Sequence, residues 1–380
     1  MNGPRRPTVA HCVTPYLFLT GSWIHSQLVH SRRYRPVVLT QAAENLDVFP
    51  FSPVHDLSAG SSIGRLASKA SKYLRGRFPS GPYLRTLREE GVSLLHAHQG
   101  WEGARLSHLG PASGLPVIVS FYGRDATLLP KNPYWRWLYR GLFSRADRII
   151  AEGHFMAGTL EKIGAPRDRI RVVHLGVDPN TFTFRERTLP EGNEPIVGLI
   201  AASFREKKGI RYALEALALL EDGHPRLRLR IIGDGPLRGE IEGQIAATGI
   251  GDRVELLGYQ PYPVFREELG RAHFLLAPSV VSSDGDSEGG APVCLLDAQA
   301  SGLPIVASTH CDIPEVTIPD RSALLAPERD VRALADRIDE LLSHPERWPE
   351  MGRAGRGHVE SEFDISRQVE RMADVYDEVL

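Results

Sequence analysis

Short apolar runs alternate with stretches of helical periodicity along most of the chain. The first half predicts strands at 8–13, 36–39, 92–96, 116–121, 148–151 and 170–174. The second half repeats the pattern, with strands at 196–200, 227–232, 254–257, 273–277, 304–307 and 323–325. Strands that alternate with helices are typical of a parallel sheet covered by helices. The sequence therefore predicts an α/β protein with two doubly wound sheets.

A polar segment, 178–195, separates the two series and has no clear period. We place an interdomain linker there, which gives a first domain over 1–185 and a second over 193–362. The last segment, 363–380, predicts a helix with one apolar face formed by Ile365, Val369, Met372, Val375 and Tyr376. Ligands of doubly wound sheets bind beyond the carboxyl ends of the strands, so we expect the site in a cleft between the domains.

Composition narrows the class of protein. The 380 residues carry a formal net charge of −2, which argues against a dedicated nucleic-acid binder. Three scattered cysteines with no CxxC spacing indicate neither a zinc site nor a disulfide framework and fit a reducing compartment. We interpret the N-terminus as a first strand rather than a signal peptide, and no stretch reaches the ~20 apolar residues of a membrane helix. We therefore expect a cytoplasmic location.

The stretch 287–308 combines a glycine loop, a predicted helix over 292–300 and an apolar strand. A loop that leads into a helix N-terminus exposes amide groups and a partial positive charge, which suit phosphate. Pro292 fits the first turn of the helix and Gly302 fits its end. Asp297, inside the helix, offers a carboxylate to sugar hydroxyls. Spacing alone leaves open an ordinary loop–helix–strand in which Glu288 only complements the helix dipole.

This stretch resembles the donor-binding signature of retaining glycosyltransferases of the GT-B fold, glycosyltransferase family 4. The signature has two carboxylates separated by seven residues, whereas Glu288 and Asp297 are separated by eight, and the second acid is Asp rather than Glu. The resemblance covers nearly the whole chain and is strongest over 196–342. It implies two Rossmann-like domains facing a cleft, with the last helix crossing back to the first domain.

The resemblance also implies an activity. The donor is a nucleoside-diphosphate sugar, the acceptor is the hydroxyl of a glycan or a lipid-linked sugar, and the anomeric configuration is kept without a metal or other cofactor. Glu288 is expected to hold sugar hydroxyls and Asp297 the ribose, while the backbone of Gly289, Gly290 and Ala291 receives the diphosphate. The closest likeness is to enzymes of bacterial exopolysaccharide or surface-glycan synthesis.

Residues 203–209 follow the first strand of the second domain. The family uses an Arg and a Lys in this segment to neutralise the diphosphate, and Lys208 matches the Lys. Ser203 stands at the usual Arg position, so Arg205 is the expected substitute. We predict Glu288, Lys208 and Arg205 as catalytic residues, with a solvated loop as the alternative for 203–209.

Further donor contacts are expected at three turns that follow predicted strands. They involve Gly21 in the loop after the first strand, Gly233 in a Gly-rich turn, and Tyr259 in the segment whose backbone reads the base in similar enzymes. An ordinary turn is at least as good an interpretation of Gly21.

Two strand ends of the first domain offer polar side chains. Tyr122 stands where similar enzymes often have a His that contacts the donor sugar, and we expect it to position that sugar. Asp125 is equally well explained as an acceptor contact or as a helix N-cap. We expect His96 and His98 on opposite faces of their strand, with His96 structural, His98 near the acceptor and no metal site.

Two segments, 63–75 and 134–143, combine basic and apolar residues at helical spacing. Either one can bind an anionic membrane surface, which would place the protein at the inner face of the cell membrane. A helix packed on its own sheet is the alternative for both. Two other functions stay open: a sugar-nucleotide epimerase of the same general fold, and a non-catalytic scaffold of a polysaccharide assembly complex.

Overall fold

The computed structural model describes residues 6–19, 21–58, 76–220 and 222–380. The basic segment 63–75 therefore lies outside the described residues. The chain divides into two compact units. The first comprises Met1–Gly176 and Ile365–Leu380, and the second comprises Val177–Asp364.

A seven-stranded parallel sheet forms the centre of the first unit, in the order β3-β2-β1-β4-β5-β6-β7. The order reverses next to β1, which makes the sheet doubly wound. Its strands are β1 Thr8–Cys12, β2 Arg35–Thr40, β3 Val54–Asp56, β4 Val92–His98, β5 Val117–Ser120, β6 Arg148–Ala151 and β7 Ile170–Val172. The helices that the structure describes before β7 are α1 Ser22–His30, α2 Ser80–Glu89, α3 Gly100–Leu106, α4 Leu109–Ser113, α5 Arg124–Thr127, α6 Pro133–Arg145 and α7 His154–Lys162.

The second unit repeats this plan around six parallel strands in the order β10-β9-β8-β11-β12-β13. The strands are β8 Ile196–Ala201, β9 Leu227–Ile232, β10 Val254–Gly258, β11 Phe274–Ala277, β12 Ile305–Ser308 and β13 Ala323–Ala326. The helices are α8 Ile210–Leu219, α9 Arg238–Thr248, α10 Tyr262–Arg271, α11 Cys294–Ala300, α12 Ile313–Val316, α13 Val331–Ser343 and α14 Trp348–His358. Two doubly wound sheets confirm the predicted α/β class.

All the strands predicted from apolar runs are present, with ends that shift by one or two residues. The sequence missed β3, which is a three-residue edge strand. Its side chains are half-buried or exposed, so no apolar run marks it. Among the described helices, none is both long enough and apolar enough to cross a membrane.

The polar segment 178–195 belongs to the second unit. Phe182 is buried in the second unit's core. Arg187 is also buried, and its guanidinium donates to the carbonyls of Leu269 and Ala272 at 2.9 Å. The first unit therefore ends at Gly176, before the predicted linker. The carbonyls that accept from Arg187 lie about 80 residues further along the chain. The sequence around Arg187 therefore gives no sign that this charged residue is buried, and the segment has the composition of a polar linker.

The last helix, α15 (Ile365–Asp377), belongs to the first unit. All five residues of its predicted apolar face are buried. Tyr376 packs edge-on against Tyr34, and its hydroxyl lies 2.7 Å from Nδ1 of His96. The chain thus returns to the first sheet, as the resemblance implied.

Candidate active site

Lys208 and Glu288 form an ion pair at the carboxyl edge of the second sheet. Lys208 follows β8 and Glu288 follows β11, and these strands are neighbours in the sheet. The Lys208 ammonium nitrogen lies 2.8 Å from Oε1 and 2.9 Å from Oε2 of Glu288. The two side chains are only 18% and 8% exposed. Two residues that the sequence analysis predicted as catalytic are therefore in direct contact.

Each charge of this pair stabilises the other. Burial disfavours the ionised carboxylate, but Lys208 and then Lys207 outweigh it, so the pKa of Glu288 lies below its ordinary value. Burial likewise disfavours the ammonium, yet Glu288 raises the pKa of Lys208 above its ordinary value. Both groups are thus charged at neutral pH. A buried ion pair usually stabilises a fold no better than apolar packing does. Its presence at the carboxyl edge of the sheet, where ligands bind, therefore points to function.

Three residues that the sequence analysis missed hold Glu288 in place. Ser279 Oγ donates to Glu288 Oε1 at 2.9 Å, and the Glu288 amide donates to Nε2 of His310 at 3.2 Å. Nδ1 of His310 lies 2.5 Å from Oε1 of Glu328. Since Nε2 accepts, the imidazole proton belongs on Nδ1, facing Glu328. Ser279 and His310 follow β11 and β12, so position after a strand end was the available signal.

The glycine loop after Glu288 is held by its own contacts. Gly289 has a φ of +79°, and its amide donates to Ser287 Oγ at 3.2 Å. The Gly290 carbonyl accepts from the amide of Asp312 at 3.2 Å. Helix α11 begins at Cys294, so Pro292 precedes the helix and the prediction of a first-turn proline is wrong. The phosphate-binding role of Gly289, Gly290 and half-buried Ala291 stays a prediction.

Asp297 lies in the first turn of α11 and is buried. The hydroxyl of Tyr262, the first residue of α10, donates to its Oδ1 at 3.3 Å. Burial raises the pKa of the Asp297 carboxyl to about 7, against the opposing effect of this hydrogen bond. At neutral pH this acid therefore sits near its midpoint, unlike Glu288.

The substitution Asp297→Asn should stabilise the protein at alkaline pH. Below about pH 3 the folded and unfolded chains both hold the Asp297 proton, because the pKa of Asp in the unfolded chain is about 3.9. As the pH rises to 7, the unfolded chain releases it first, so the free energy of unfolding falls; above 7 the loss is constant. Asn does not ionise. A pKa difference of about three units, at about 1.4 kcal/mol per unit, means that the variant should gain on the order of 4 kcal/mol at pH 8 relative to pH 4. Urea unfolding at both pH values measures this, and Asp252→Asn, at an exposed site, is the control that should show no such gain.

Gly233, at the end of β9, is required by a close backbone approach. It has a φ of +142°, and a Cβ there would lie 1.8 Å from the Ala202 carbonyl oxygen. Its amide donates to the carbonyl of Gly258, which precedes the half-exposed Tyr259. Glycine thus brings the turn after β9 against the start of the loop that carries Lys208. Donor contact by Gly233 or Tyr259 stays a prediction.

Arg205 has a different environment from Lys208. Its side chain is exposed and lines a groove of about 540 Å³ between α8 and α9. Acidic side chains share this groove, namely Glu206, Glu215 and Glu240. The expected substitution of Arg205 for an Arg at Ser203 stays a prediction.

His96 and His98 lie on the same face of β4, so the expectation of opposite faces is wrong. Residues two apart on a strand share a face, and the two rings stack with centroids 4.4 Å apart. Nδ1 of His98 lies 2.6 Å from the Tyr122 hydroxyl, and Nε2 lies 2.9 Å from Nδ1 of His11. The imidazoles of His11, His96 and His98 are buried, and each has a ring nitrogen within 4.8 Å of a ring nitrogen of the other two. Burial lowers the pKa of all three, that of His11 to about 3, so they are neutral.

Complete burial of His98 does not fit its predicted contact with an acceptor. The geometry instead gives His98 a supporting role, because it fixes the hydroxyl of Tyr122 and stacks on that ring. Tyr122 also packs against Trp23. The tyrosine ring is therefore held on two sides, which suits the positioning role predicted for it.

Asp125 connects two loops of the first unit. Its carboxylate accepts from the amides of Gly100 at 2.7 Å and Tyr122 at 3.0 Å. It lies in the first turn of α5, whose cap position is Gly123, so the N-cap interpretation is wrong. Burial raises its pKa to about 6, and both oxygens are engaged by the backbone.

The Gly21 amide, predicted as a donor contact, already donates to the Phe18 carbonyl at 2.7 Å.

Comparison with known proteins gives the family. Residues 26–181 match the family described as Glycosyltransferase Family 4, and residues 181–358 match Glycosyl transferases group 1. The chain is 30% identical over 316 residues to AmsK of Erwinia amylovora, an amylovoran biosynthesis glycosyltransferase, covering 82% of this chain and 76% of AmsK. The chain belongs to the family 4-type glycosyltransferases. It is also 36% identical over 273 residues to WcaL of Escherichia coli (strain K12), whose name assigns it to colanic acid biosynthesis. That match spans 70% of this chain and 66% of the length of WcaL.

The fold of this family 4-type glycosyltransferase is shared by solved structures. HepE of Anabaena in complex with UDP aligns with a TM-score of 0.78 at 15% identity, covering 98% of this chain and 100% of HepE. At that identity the likeness concerns the fold alone. It establishes the GT-B fold over essentially the whole chain.

Proposed function

We propose that this chain is a retaining glycosyltransferase that moves a sugar from a nucleoside-diphosphate sugar to a hydroxyl of a bacterial surface polysaccharide or its lipid-linked precursor. The buried pair of Lys208 and Glu288, 2.8 Å apart at the carboxyl edge of the second sheet, carries the proposal. The names of AmsK and WcaL support a role in exopolysaccharide synthesis.

The cations of this edge suit a departing diphosphate. Cleavage of the donor leaves negative charge on the phosphate oxygens, and preorganised positive groups at such charge are usually the largest catalytic contribution. Lys208 has three N–H donors, and both Glu288 oxygens are within reach of its ammonium, so the donor must share it or displace part of that contact. Lys207 stands next to it and donates to the Ser287 carbonyl at 2.9 Å. In this proposal the lysines, aided by Arg205, replace a metal ion.

The reaction needs no covalent sugar–enzyme bond. A bond forms between the acceptor oxygen and the anomeric carbon, on the face from which the diphosphate departs. The bond from that carbon to the diphosphate oxygen breaks, and the acceptor proton passes to a phosphate oxygen. Glu288 holds sugar hydroxyls as an ionised acceptor, and Asp297 holds the ribose.

A panel of nucleotides and nucleotide sugars tests the proposal. We expect one base class to raise the melting temperature, because a ligand at 100 times its Kd adds about 2.7 kcal/mol of stability. Lys208→Met should lose most of this shift, whereas Lys162→Met, in the last turn of α7, should keep it. Transfer from the binding donor to a polyprenyl-diphosphate sugar should give a product with the donor's anomeric configuration by NMR.

Other results of the same assay would contradict the proposal. An inverted product would exclude retention. An epimerised sugar nucleotide formed without acceptor would favour the epimerase. Binding of none of the nucleotides would remove the assigned donor site.

A further inference from the structure

The backbone of Gln99 is held in a conformation that residues with a side chain rarely adopt. Gln99 directly follows β4 and has a φ of +80° and a ψ of 138°. This ψ lies far from the left-handed helical region, where non-glycine residues with a positive φ usually fall. Glycine would adopt the same conformation without strain, but the chain has glycine at 100 and glutamine at 99. Strain of this kind persists only where the surrounding structure fixes it, and it concentrates at functional sites.

The surroundings of Gln99 do fix its backbone. The Gln99 amide donates to the Ser120 carbonyl at 2.8 Å. The amide of the next residue, Gly100, donates to the Asp125 carboxylate at 2.7 Å. A Cβ at Gly100 would lie 2.2 Å from a ring carbon of Phe121, so the turn already packs directly against the end of β5. The turn therefore has no room to relax the strain at Gln99.

The side chain of Gln99, by contrast, has no role in the fold. The residue is only 6% exposed, yet its Oε1 is buried without a hydrogen-bond partner among the described residues. Such a group destabilises the protein, and most buried polar groups are satisfied. Gln299 of the second unit shows the usual arrangement, because its amide donates to the Val316 carbonyl at 2.8 Å and accepts from Ser322 Oγ at 3.0 Å. A strained backbone and an unsatisfied amide together indicate that Gln99 is retained for a ligand.

The place of Gln99 in the sheet is where ligands bind. The strand order of the first sheet reverses next to β1, and β4 is the neighbour of β1 at this switch point. Trp23, in the first turn of the helix after β1, offers a second orphan on the same edge. Its Nε1 is buried and has no partner in the part of the chain that the structure describes, and its ring centroid lies 5.9 Å from that of Tyr122. An amide oxygen that accepts and an indole N–H that donates match hydroxyl groups, which do both.

We propose that Gln99 binds a hydroxyl of the acceptor sugar and so determines acceptor specificity. The side-chain amide is neutral, which suits a sugar hydroxyl better than a phosphate. The inference rests on the proposed function, in which Lys208 of the second unit receives the donor's diphosphate and the first unit is left for the acceptor. His98 is fully buried with both ring nitrogens engaged, whereas Gln99 keeps a small exposed fraction and a free amide oxygen.

Acceptor analogues test this contact. The acceptors are a polyprenyl-diphosphate hexose and its monodeoxy analogues, each of which lacks one hydroxyl. At saturating donor, Gln99→Met should lower kcat/KM for the complete acceptor about 10-fold. One deoxy analogue should be equally poor for wild type, and Gln99→Met should not lower its kcat/KM further. The Kd of the complete acceptor, measured by calorimetry without donor, should rise by the same factor, and Lys162→Met should behave like wild type.

Melting temperatures distinguish a ligand contact from a structural role. Gln99→Gly removes both the strain and the unsatisfied oxygen, so the melting temperature should rise by about 3 °C or more, while kcat/KM for the acceptor falls as in Gln99→Met. Gln299→Met is the control for stability and should lower the melting temperature, because it breaks two hydrogen bonds.

Three results would overturn the proposal. Equal acceptor kcat/KM in wild type and Gln99→Met would leave a bound water as the partner of Gln99. An equal loss with every deoxy analogue would exclude a specific hydroxyl, and a lower melting temperature of Gln99→Gly would make the residue structural. Failure of the proposed function is distinguishable, since wild type would then show no melting shift with any nucleotide. If only this inference fails, that shift and transfer both persist in Gln99→Met.

Discussion

Glu288→Gln should lower kcat for sugar transfer by about 10²–10³-fold. Gln keeps the size of the side chain, and its carbonyl oxygen can still accept from Ser279. It lacks the negative charge that pairs with the Lys208 ammonium at 2.8 Å. An isolated buried ammonium is costly, so the free energy of unfolding should also fall by about 3 kcal/mol. Steady-state kinetics with the donor identified by the nucleotide panel, together with thermal melting, measure both effects.

A second variant separates the loss of activity from the loss of stability. Lys208→Met/Glu288→Gln removes both charges and should recover most of the stability while transfer stays absent. Glu350→Gln, at an exposed position in the first turn of α14, is the matched control and should behave like wild type. Wild-type turnover in Glu288→Gln, with an intact fold, would contradict the assigned role.

Gly209→Ala should be strongly damaging, because it adds a methyl group beside the site where no space exists. Gly209 follows Lys208 with a φ of +64°, and a Cβ there would lie 1.8 Å from the Pro278 carbonyl oxygen. The oxygen belongs to the backbone, so the loops after β8 and β11 must separate. These loops carry Lys208 and Glu288. We expect a destabilisation of more than about 3 kcal/mol, and loss of transfer in whatever protein remains folded.

Gly249→Ala is the control for this prediction. Gly249 has a similar φ of +73° at the end of α9, but nothing lies within 4 Å of a Cβ added there. It should cost only the backbone strain of about 1–2 kcal/mol. Urea unfolding of the two variants therefore isolates the contribution of the close approach at Gly209. Equal costs would show that the loops after β8 and β11 can move apart freely.

Lys208 and Glu288 were predicted from the resemblance to family 4 glycosyltransferases, supported by their places in loops that follow apolar strands. The carboxyl ends of parallel strands lie on one edge, so the loops that follow β8 and β11, with their polar residues, lie on the same edge of the sheet. The same rule covers Ser279 and His310, which the sequence analysis missed because a single Ser or His carries no spacing pattern. Their role depends on a few tenths of an ångström in a hydrogen bond, which only the folded loops determine.

The first unit shows where sequence patterns mislead. His98 and Asp125 are chemically competent acceptor contacts, and both follow or end strands. In the fold, however, His98 is surrounded by other side chains and Asp125 is used by two backbone amides. Arg187 is the converse case, since a charged residue in a polar segment turned out to be buried. Burial and occupied hydrogen-bond partners decide such cases, and neither has a local signature.

The order of apolar runs and helices by itself determined two doubly wound sheets, because a strand buried on both faces needs a continuous apolar stretch. It also determined which strand ends carry charges. Only the tertiary structure decided that Lys208 and Glu288 are paired and that Asp125 and His98 are internal supports. These outcomes depend on distances between residues far apart in the chain, which local periodicity does not encode.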